Sequence, residues 1–518
     1  MRLLYLLTFG FTAIFASQPV KVWVELRDKG PSSVAGRAWE DLPVYAPYLQ
    51  QLRHAGFTPD ISLKWQNRVS GWIDPKNISD LNRMAIVRHV EGMPHKAPYN
   101  HLPRIPVGSG LAKAGVASAF GSFQQAFDTT QASLLRTALP AGQSAGQGLR
   151  IAVIDVDFDL KHEAFAHLKQ AGLIVDQRDF VANKNTVVRD TFTESHGAAV
   201  LSLLAGKTAT FEGLVPDAKY LLYRAENGAS ETYVEEDYVA AAMERAVDSG
   251  AQVISISLGY RYDYSDGSPD IPYASMNGRT RPSSIAALGA ARRGVLLCVS
   301  MGNEGPTRAS GPTITAPADA DSVLSVGILD LNLKPCSYSG TGPTYDHRVK
   351  PDVASIGPNA CATPTADPKT TSGVEYQGGT SFAAPVVAGI GALLRQLHPT
   401  ISAQTIRLAL MSTASKTLHP DSASGYGLVR ANEASRILSS GGSGIGSFVW
   451  DRASSRATMR WRPGLNFSGT HLWDLRGRDL PVHAGATGPV FWMDPGSSRA
   501  AGFYFFRIPS ADSSNIAP

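Results

Sequence analysis

Between residues 149 and 305 the chain alternates short unbroken apolar runs with longer stretches whose apolar positions recur every three or four residues. "LRIAVIDV" is a continuous apolar run of the kind shown by a strand buried on both faces. "AKYLLYRAE", "AQVISISLG" and "VLLCVSMGNEG" repeat the pattern. Between them, "HGAAVLSLLAG" predicts a helix that stops at Gly206 and "VEEDYVAAAMERAVDSG" an amphipathic helix ended by Gly250. "SSIAALGAARRG" predicts a third helix. Repeated strand–helix units of this kind predict an α/β fold, a doubly wound and mostly parallel sheet with helices on both faces.

The flanking segments follow other rules. In "KVWVELRDKG", Val22, Val24 and Leu26 alternate with polar or larger neighbours, as in a strand. "YAPYLQQLRHAG" predicts a helix closed by Gly56, and "ISLKWQNRVSGWI" is extended. "ISDLNRMA" is helical with Ser79 as its cap, and "IVRHV" is extended again. The order β-α-β-β-α-β is that of a ferredoxin-like α+β domain. Residues 102–145, rich in Gly, Ala, Ser and Gln and without a clear period, read as a connector. "SSGGSGIGS" at 439–447 has the composition of a linker. Beyond it, "SFVWDR", "ATMRWRP", "HLWDLRGR", "GPVFWMD" and "GFYFFRI" are short aromatic-rich strands that predict a small all-β domain.

The first residues, "MRLLYLLTFGFTAIFASQP", combine Arg2, an apolar stretch from Leu3 to Phe15, and small Ala16 and Ser17, the pattern of a secretory signal peptide. The stretch falls short of the ~20 residues needed to cross a bilayer, and no later segment is long and apolar enough to do so. A secreted or cell-surface location follows, and a small domain directly behind a signal peptide is a candidate propeptide. The expected division is a signal peptide at 1–17, a propeptide-like domain at 18–104, an α/β domain at 105–440, and a linker with a β-rich domain at 441–518. Composition agrees with a folded chain of several domains, since 518 residues are 43% apolar and 18% charged. A net charge of +4 is small for this length and points to neither nucleic acid nor an anionic membrane surface. Cys298, in "GVLLCVS", reads as a core residue, whereas Cys336 and Cys361 could pair in an oxidising compartment.

In an open parallel sheet, ligands bind at the carboxyl ends of the strands. Asp155 follows "IAVI", Ser257 lies in "ISISLG", and Asn303 follows "LLCVSMG". His196 opens the "HGAAV" helix and Ser381 the "SFAAP" helix. Singly, each has an ordinary reading as a turn former, a cap or a residue tolerant of left-handed backbone. Together they supply a carboxylate, a base, a nucleophile and an amide donor, which is the set needed for acyl transfer. A serine hydroxyl is a weak nucleophile until an imidazole accepts its proton. A carboxylate behind the imidazole holds its tautomer, and a side-chain amide stabilises the oxyanion. Gly378 and Gly379 let the backbone approach a substrate closely, and Pro385 is expected in the tolerant first turn of its helix. No phosphate-binding glycine loop and no His or Cys cluster at zinc spacing is present in the sequence.

The stretches "IAVIDVDFD", "ESHGAAV", "VISISLGY", "SMGNEGP", "VKPDVASIG", "GGTSFAAPVVAG" and "GYGLVRANEA" occur in that order over roughly residues 148–437. On them the chain resembles the subtilisin-like serine proteases, the subtilases. The resemblance implies that Asp155, His196 and Ser381 form a catalytic triad and that Asn303 donates to the oxyanion beside the Ser381 N–H. It implies that Ser257, Leu258 and Gly259, with Gly302, bind an extended polypeptide substrate along a strand edge. It further implies that the N-terminal domain assists folding and acts as an intramolecular inhibitor. The chemistry requires no cofactor; structural calcium is common in the family, but no acidic loop here shows a readable calcium pattern. The tail "HLWDLRGRDL…AAGFYFFRI" is similar to the C-terminal sorting domains of bacterial type IX secretion cargo, which would bring the chain to a secretion machinery.

Three places depart from the family pattern. Val156 and Asp157 stand where Ser-Gly is usual, Ala198 and Ala199 replace Thr and His, and Met301 takes a usually small position, where it would narrow the pocket for the residue preceding the scissile bond. Two other readings compete. A catalytically inactive subtilase-like scaffold has no need to keep all four reactive groups. An esterase of the α/β-hydrolase type would place its serine in G-x-S-x-G and ahead of the acid and the histidine, and neither condition is met.

Overall fold

The computed structural model describes residues 18–31, 38–94 and 120–439, apart from 121–122, 190–194, 210, 307–310, 357–361, 365–371, 373 and 377, together with the strands between 447 and 507. The signal-peptide stretch, the linker at 440–446 and Cys361 lie outside the described residues. The chain divides into two compact units, Met1–Lys96 and Ala97–Pro518.

The first unit runs β1 (Val20–Leu26), α1 (Ala46–His54), β2 (Thr58–Leu63), β3 (Arg68–Ile73), α2 (Ile78–Arg83) and β4 (Val87–Gly92). Its antiparallel sheet is ordered β2-β3-β1-β4, the ferredoxin-like arrangement expected from the element order. Val22, Val24, Leu52, Phe57, Val69 and Leu81 meet in its core. Ser79 does not cap α2. The helix grows out of a 3-10 turn at Pro75–Asn77, and Asp74 caps that turn by accepting the Lys76 N–H at 3.1 Å. Asn77 already has helical backbone, so the extended conformation that an N-cap needs occurs upstream.

The second unit opens with two short helices, α3 (Gln124–Thr129) and α4 (Ala132–Thr137). They correct the reading of 102–145 as a plain connector, because Phe123, Phe127 and Leu135 are buried in the main core. Six-residue helices are too short to show a period. The βα alternation follows: β5 (Arg150–Asp155), α5 (Ala166–Gln170), β6 (Ile174–Asp179), α6 (His196–Ala205), β7 (Lys219–Arg224), α7 (Glu235–Asp248), β8 (Val253–Ile256), α8 (Pro282–Arg292), β9 (Leu296–Ser300), β10 (Leu324–Leu329) and β11 (Val353–Ile356). These strands form one parallel sheet ordered β11-β10-β9-β8-β5-β7-β6. Strand β6 escaped the pattern reading because it is a half-exposed edge, "IVDQRD", with only its last residue buried. A short antiparallel pair, β12 (Ala362–Pro364) and β13 (Val374–Tyr376), precedes α9 (Thr380–Leu397), α10 (Ala403–Thr413) and α11 (Ala431–Ser439). Helix α9 corrects the reading that no later segment is long and apolar enough to cross a membrane, but in this fold it is a core helix that buries Val386, Val387, Ile390 and Leu393.

The acid of "VKPDVASIG" is structural. Asp352 is buried between Arg407, at 2.6 Å, and Lys350, and it also accepts the Ser325 N–H at 2.9 Å. Beyond 447, Ser447–Asp451, Arg456–Arg460, Val490–Met493 and His483–Ala484 form one antiparallel sheet. His471–Trp473, Asp479–Leu480 and Phe505–Arg507 form another, so the described tail is all β as expected.

One buried acid gives the second unit a testable pH response. Asp319 is fully buried, and burial lifts its carboxyl from 3.8 to about 6, against hydrogen bonds from Ser284 Oγ in α8 and from the Gly278 N–H at 2.7 Å. A carboxyl whose folded pKa is raised favours folding below the unfolded pKa, and that contribution is lost as pH rises through the folded value. Relative to Asp319→Asn, wild-type stability is therefore expected to fall by up to about 3 kcal/mol between pH 4 and pH 6.5. Denaturant unfolding of both proteins across that range measures it; parallel curves would contradict the assignment.

Candidate active site

Asp155 ends β5, which is flanked by β7 on one side and β8 on the other. The chain visits β6 and β7 before crossing to β8, so the strand order reverses beside β5 and a crevice opens at its carboxyl end. Asp155 is fully buried there. Its Oδ1 lies 2.7 Å from His196 Nδ1 and accepts the Val156 N–H at 2.8 Å. A carboxylate on Nδ1 fixes the proton to that nitrogen and makes Nε2 the basic one.

His196 is the first residue of α6. Its ring packs edge-on against Phe382, with centroids 5.6 Å apart, which sets the imidazole beside the residue that follows Ser381. The next residue has to be glycine, because a Cβ on Gly197 would lie 2.6 Å from Asp157 O and 3.0 Å from Asp155 Cβ. That close approach is what brings the start of the helix down onto the end of the strand.

Ser381 is the second residue of α9 and is 7% exposed. Gly379, before the helix, has φ +129° and ψ 156°, a conformation that favours glycine. Pro385 sits inside the helix, not in its first turn, and this corrects the expectation. Proline has no N–H to give the carbonyl four residues back, which is that of Ser381. Ser257 Oγ supplies the missing donor, reaching Ser381 O at 2.8 Å, while Ser381 Oγ makes a long 3.4 Å contact to Ser257 O. The side chain of Ser257, grouped in the sequence with substrate contacts, is therefore turned to the backbone of Ser381. Leu258 and Gly259 continue past the end of β8, and Tyr260 pairs with Ala316 through hydrogen bonds of 2.9 and 3.2 Å.

Asn303 reaches the same corner from the loop after β9. Its Oδ1 accepts the Thr380 N–H at 2.9 Å and lies 3.1 Å from Thr380 Oγ1, which also bonds the Gly302 backbone. The Thr380 N–H on Oδ1 orients the amide, with the single Thr380 hydroxyl proton shared between Oδ1 and Gly302 O, and Nδ2 lies 3.3 Å from the point where a Cβ of Gly379 would stand. Thr380, fully buried between Asn303 and Ser381, was missed in the sequence, although its place in "GTS" was the available signal. The site also holds a dipole, since the N-terminus of an 18-residue helix carries partial positive charge beside the Ser381 N–H. Neither described cysteine is a poised nucleophile, because burial pushes the thiols of Cys298 and Cys336 upward. Among the described residues no three His, Cys, Asp or Glu side chains are placed to hold a metal ion, so no calcium ligand is assigned.

A model of the subtilase family matches residues 146–427, more than half of the chain and a span that includes Asp155, His196, Asn303 and Ser381. The chain belongs to the subtilase family. The Peptidase S8 propeptide domain of Bacteroidota matches residues 27–104 of this subtilase. Serine protease AprX of Bacillus subtilis is 26% identical to it over 313 residues, 55% of this chain and 66% of that protein. Subtilisin-like protease PopC of Myxococcus xanthus is 29% identical over 281 residues, 52% of this chain and 56% of that protein. Thermitase of Thermoactinomyces vulgaris is 30% identical over 273 residues, 52% of this chain and 82% of that protein. The match thus spans about two thirds or less of AprX and PopC. The solved epidermin leader peptide processing serine protease of Staphylococcus aureus shares the fold, with a TM-score of 0.57 at 16% identity over 81% of this chain and 100% of that one.

The departures of this subtilase from the family pattern are all inward. Val156, Ala198, Ala199 and Met301 are buried, and the Met301 N–H donates to Val326 O of β10 at 3.1 Å. Asp157 is fully buried too, and it carries two arginines.

Proposed function

We propose that this subtilase is a secreted serine endopeptidase that cleaves polypeptides through an acyl-enzyme. The observation that carries the reading is the 2.7 Å Asp155–His196 contact with the imidazole packed against Phe382, next to Ser381. His196 Nε2 takes the Ser381 proton as Oγ attacks the scissile carbonyl, and returns it to the leaving amine. The oxyanion accepts from the Asn303 amide and the Ser381 N–H. Water then repeats the sequence on the ester. Asp155 orients His196 and stabilises the imidazolium, while Leu258, Gly259 and Gly302 hold the extended substrate by strand pairing. An inactive scaffold would have no use for Thr380 holding Asn303 in a single orientation. The 18–104 domain is assigned as the intramolecular inhibitor, residues 1–17 as the export signal, and the β-rich tail as the part a secretion machinery would engage.

Labelling tests the reading. The full chain, once its N-terminal domain has been released, is expected to react with a fluorophosphonate probe, and peptide mapping is expected to find the label on Ser381. A label on another residue, or none on folded protein freed of that domain, would sink it. Asn303→Leu is expected to lower kcat by roughly 10^2–10^3, with KM little changed, because the amide acts on charge that develops only in the transition state. The size of that effect is the one known for an oxyanion-hole amide in subtilisin itself. Steady-state kinetics on a peptide substrate reads it.

A further inference from the structure

Asp157 replaces a residue that is usually glycine, and the environment built around it is specific. Arg224, the last residue of β7 and 2% exposed, places Nε 2.7 Å from Asp157 Oδ1. Arg189 Nη1 lies 2.7 Å from the same oxygen. Arg224 extends its other arm to Asp179, the last residue of β6, at 3.1 and 3.3 Å. Two guanidiniums and two carboxylates cancel, so the cluster is neutral and Asp155 stands apart from it. The main chain of Asp157 does a second thing. Its carbonyl accepts the Ala198 N–H at 3.2 Å in the first turn of α6, and its O is what a Cβ on Gly197 would strike. A parallel stitch joins the Asp159 N–H to Ser195 Oγ at 3.2 Å, and the Ala225 N–H bonds Asp155 O at 3.0 Å. The ends of β5, β6 and β7 and the start of α6 are thus tied through the stretch from Asp155 to Asp159.

Stability alone does not account for this cluster. Buried ion pairs seldom beat well-packed apolar groups of the same size, and Asp157 Oδ2 is buried without a hydrogen-bond partner. We propose that Asp157, clamped by Arg189 and Arg224, is a positioning residue that holds the β5 end carrying Asp155 in register with the helix start carrying His196. The inference rests on the peptidase reading above, in which the Asp155–His196 geometry governs rate. An ion cluster has directional contacts that an apolar plug lacks, and it fixes the Asp157 carbonyl on which α6 sits. A slip of about 1 Å in such an arrangement costs on the order of 100-fold in rate.

Arg189 is the arm to test first, because its side chain is 31% exposed and its removal leaves the Arg224–Asp157 pair intact. In the full chain after release of its N-terminal domain, Arg189→Gln is expected to lower kcat roughly 10-fold, a fraction of that limit, with KM within about twofold. Arg189→Lys is expected to recover most of the loss. Asp157→Asn, which keeps the size of the side chain, is expected to lower kcat further. The low-field proton resonance of His196 Nδ1–H, held by Asp155 in the wild type, is expected to broaden or shift in both Arg189→Gln and Asp157→Asn. Unchanged kcat and an unchanged resonance in folded Arg189→Gln and Asp157→Asn would overturn the proposal, as would a loss of thermal stability with neither readout moved. The resonance reports the clamp whether or not Ser381 reacts. A wild type that fluorophosphonate fails to label would therefore defeat the peptidase reading, and the clamp would still stand or fall on the resonance.

Discussion

Ser381→Ala is expected to lower kcat by roughly 10^6-fold while leaving the fold intact. That magnitude comes from subtilisin, whose own nucleophile was removed. The local geometry explains why the loss should be purely chemical here. The Ser381 hydroxyl makes one long contact, 3.4 Å to Ser257 O, whereas the bond that holds this turn of α9 runs from Ser257 Oγ to the Ser381 backbone carbonyl at 2.8 Å. Alanine keeps that carbonyl, and it keeps the N–H that faces the oxyanion. Substrate binding and some residual catalysis by the oxyanion donors should survive. Thermal unfolding within about a degree of wild type, with turnover near the background rate, is the expected pair of results. A folded variant that still hydrolyses peptides at a substantial fraction of the wild-type rate would show that the nucleophile is elsewhere.

Asp155→Asn is expected to lower kcat by roughly 10^4-fold. In the proposed mechanism the fully buried carboxylate has two tasks: its Oδ1, 2.7 Å from His196 Nδ1, holds the proton there, and its charge supports the imidazolium. An amide removes the charge. It also leaves an NH2 with no good place: at the Oδ2 position it is buried without an acceptor, and at the Oδ1 position it faces the Val156 N–H and forces His196 into the wrong tautomer. Fluorophosphonate labelling of Ser381 should slow in proportion, since proton removal from Oγ limits both reactions. Labelling at the wild-type rate would deny Asp155 its role.

Much of this was legible in one dimension. Four apolar runs announced β5, β7, β8 and β9 because a strand buried on both faces tolerates little else, and their carboxyl ends marked Asp155, Ser257 and Asn303, whereas the equally buried β10 and β11 were not read. The edge strand β6 and the six-residue helices α3 and α4 were not legible. One is half solvated and the others are too short to display a period, so their structure comes from what they pack against. Ser79 and Pro385 were misplaced for a related reason. Where a helix begins depends on the backbone conformation of the preceding turn, and the identity of a favourable residue does not decide it.

The sequence by itself determined the α/β class, the ferredoxin-like order of the first unit, and the family-typed set of Asp155, His196, Asn303 and Ser381. These follow from local periodicity and from motifs that keep their order. Only the tertiary structure decided what Ser257, Thr380 and Asp157 do. Ser257 repairs the hydrogen bond that Pro385 removes 124 residues away from the serine; Thr380 orients an amide from another strand's loop. Asp157 gathers arginines from 32 and 67 residues further along the chain. Hydrogen bonds and ion pairs act over about 3 Å in space with no regard to separation in sequence, so their partners are settled only when the sheet brings the strand ends together.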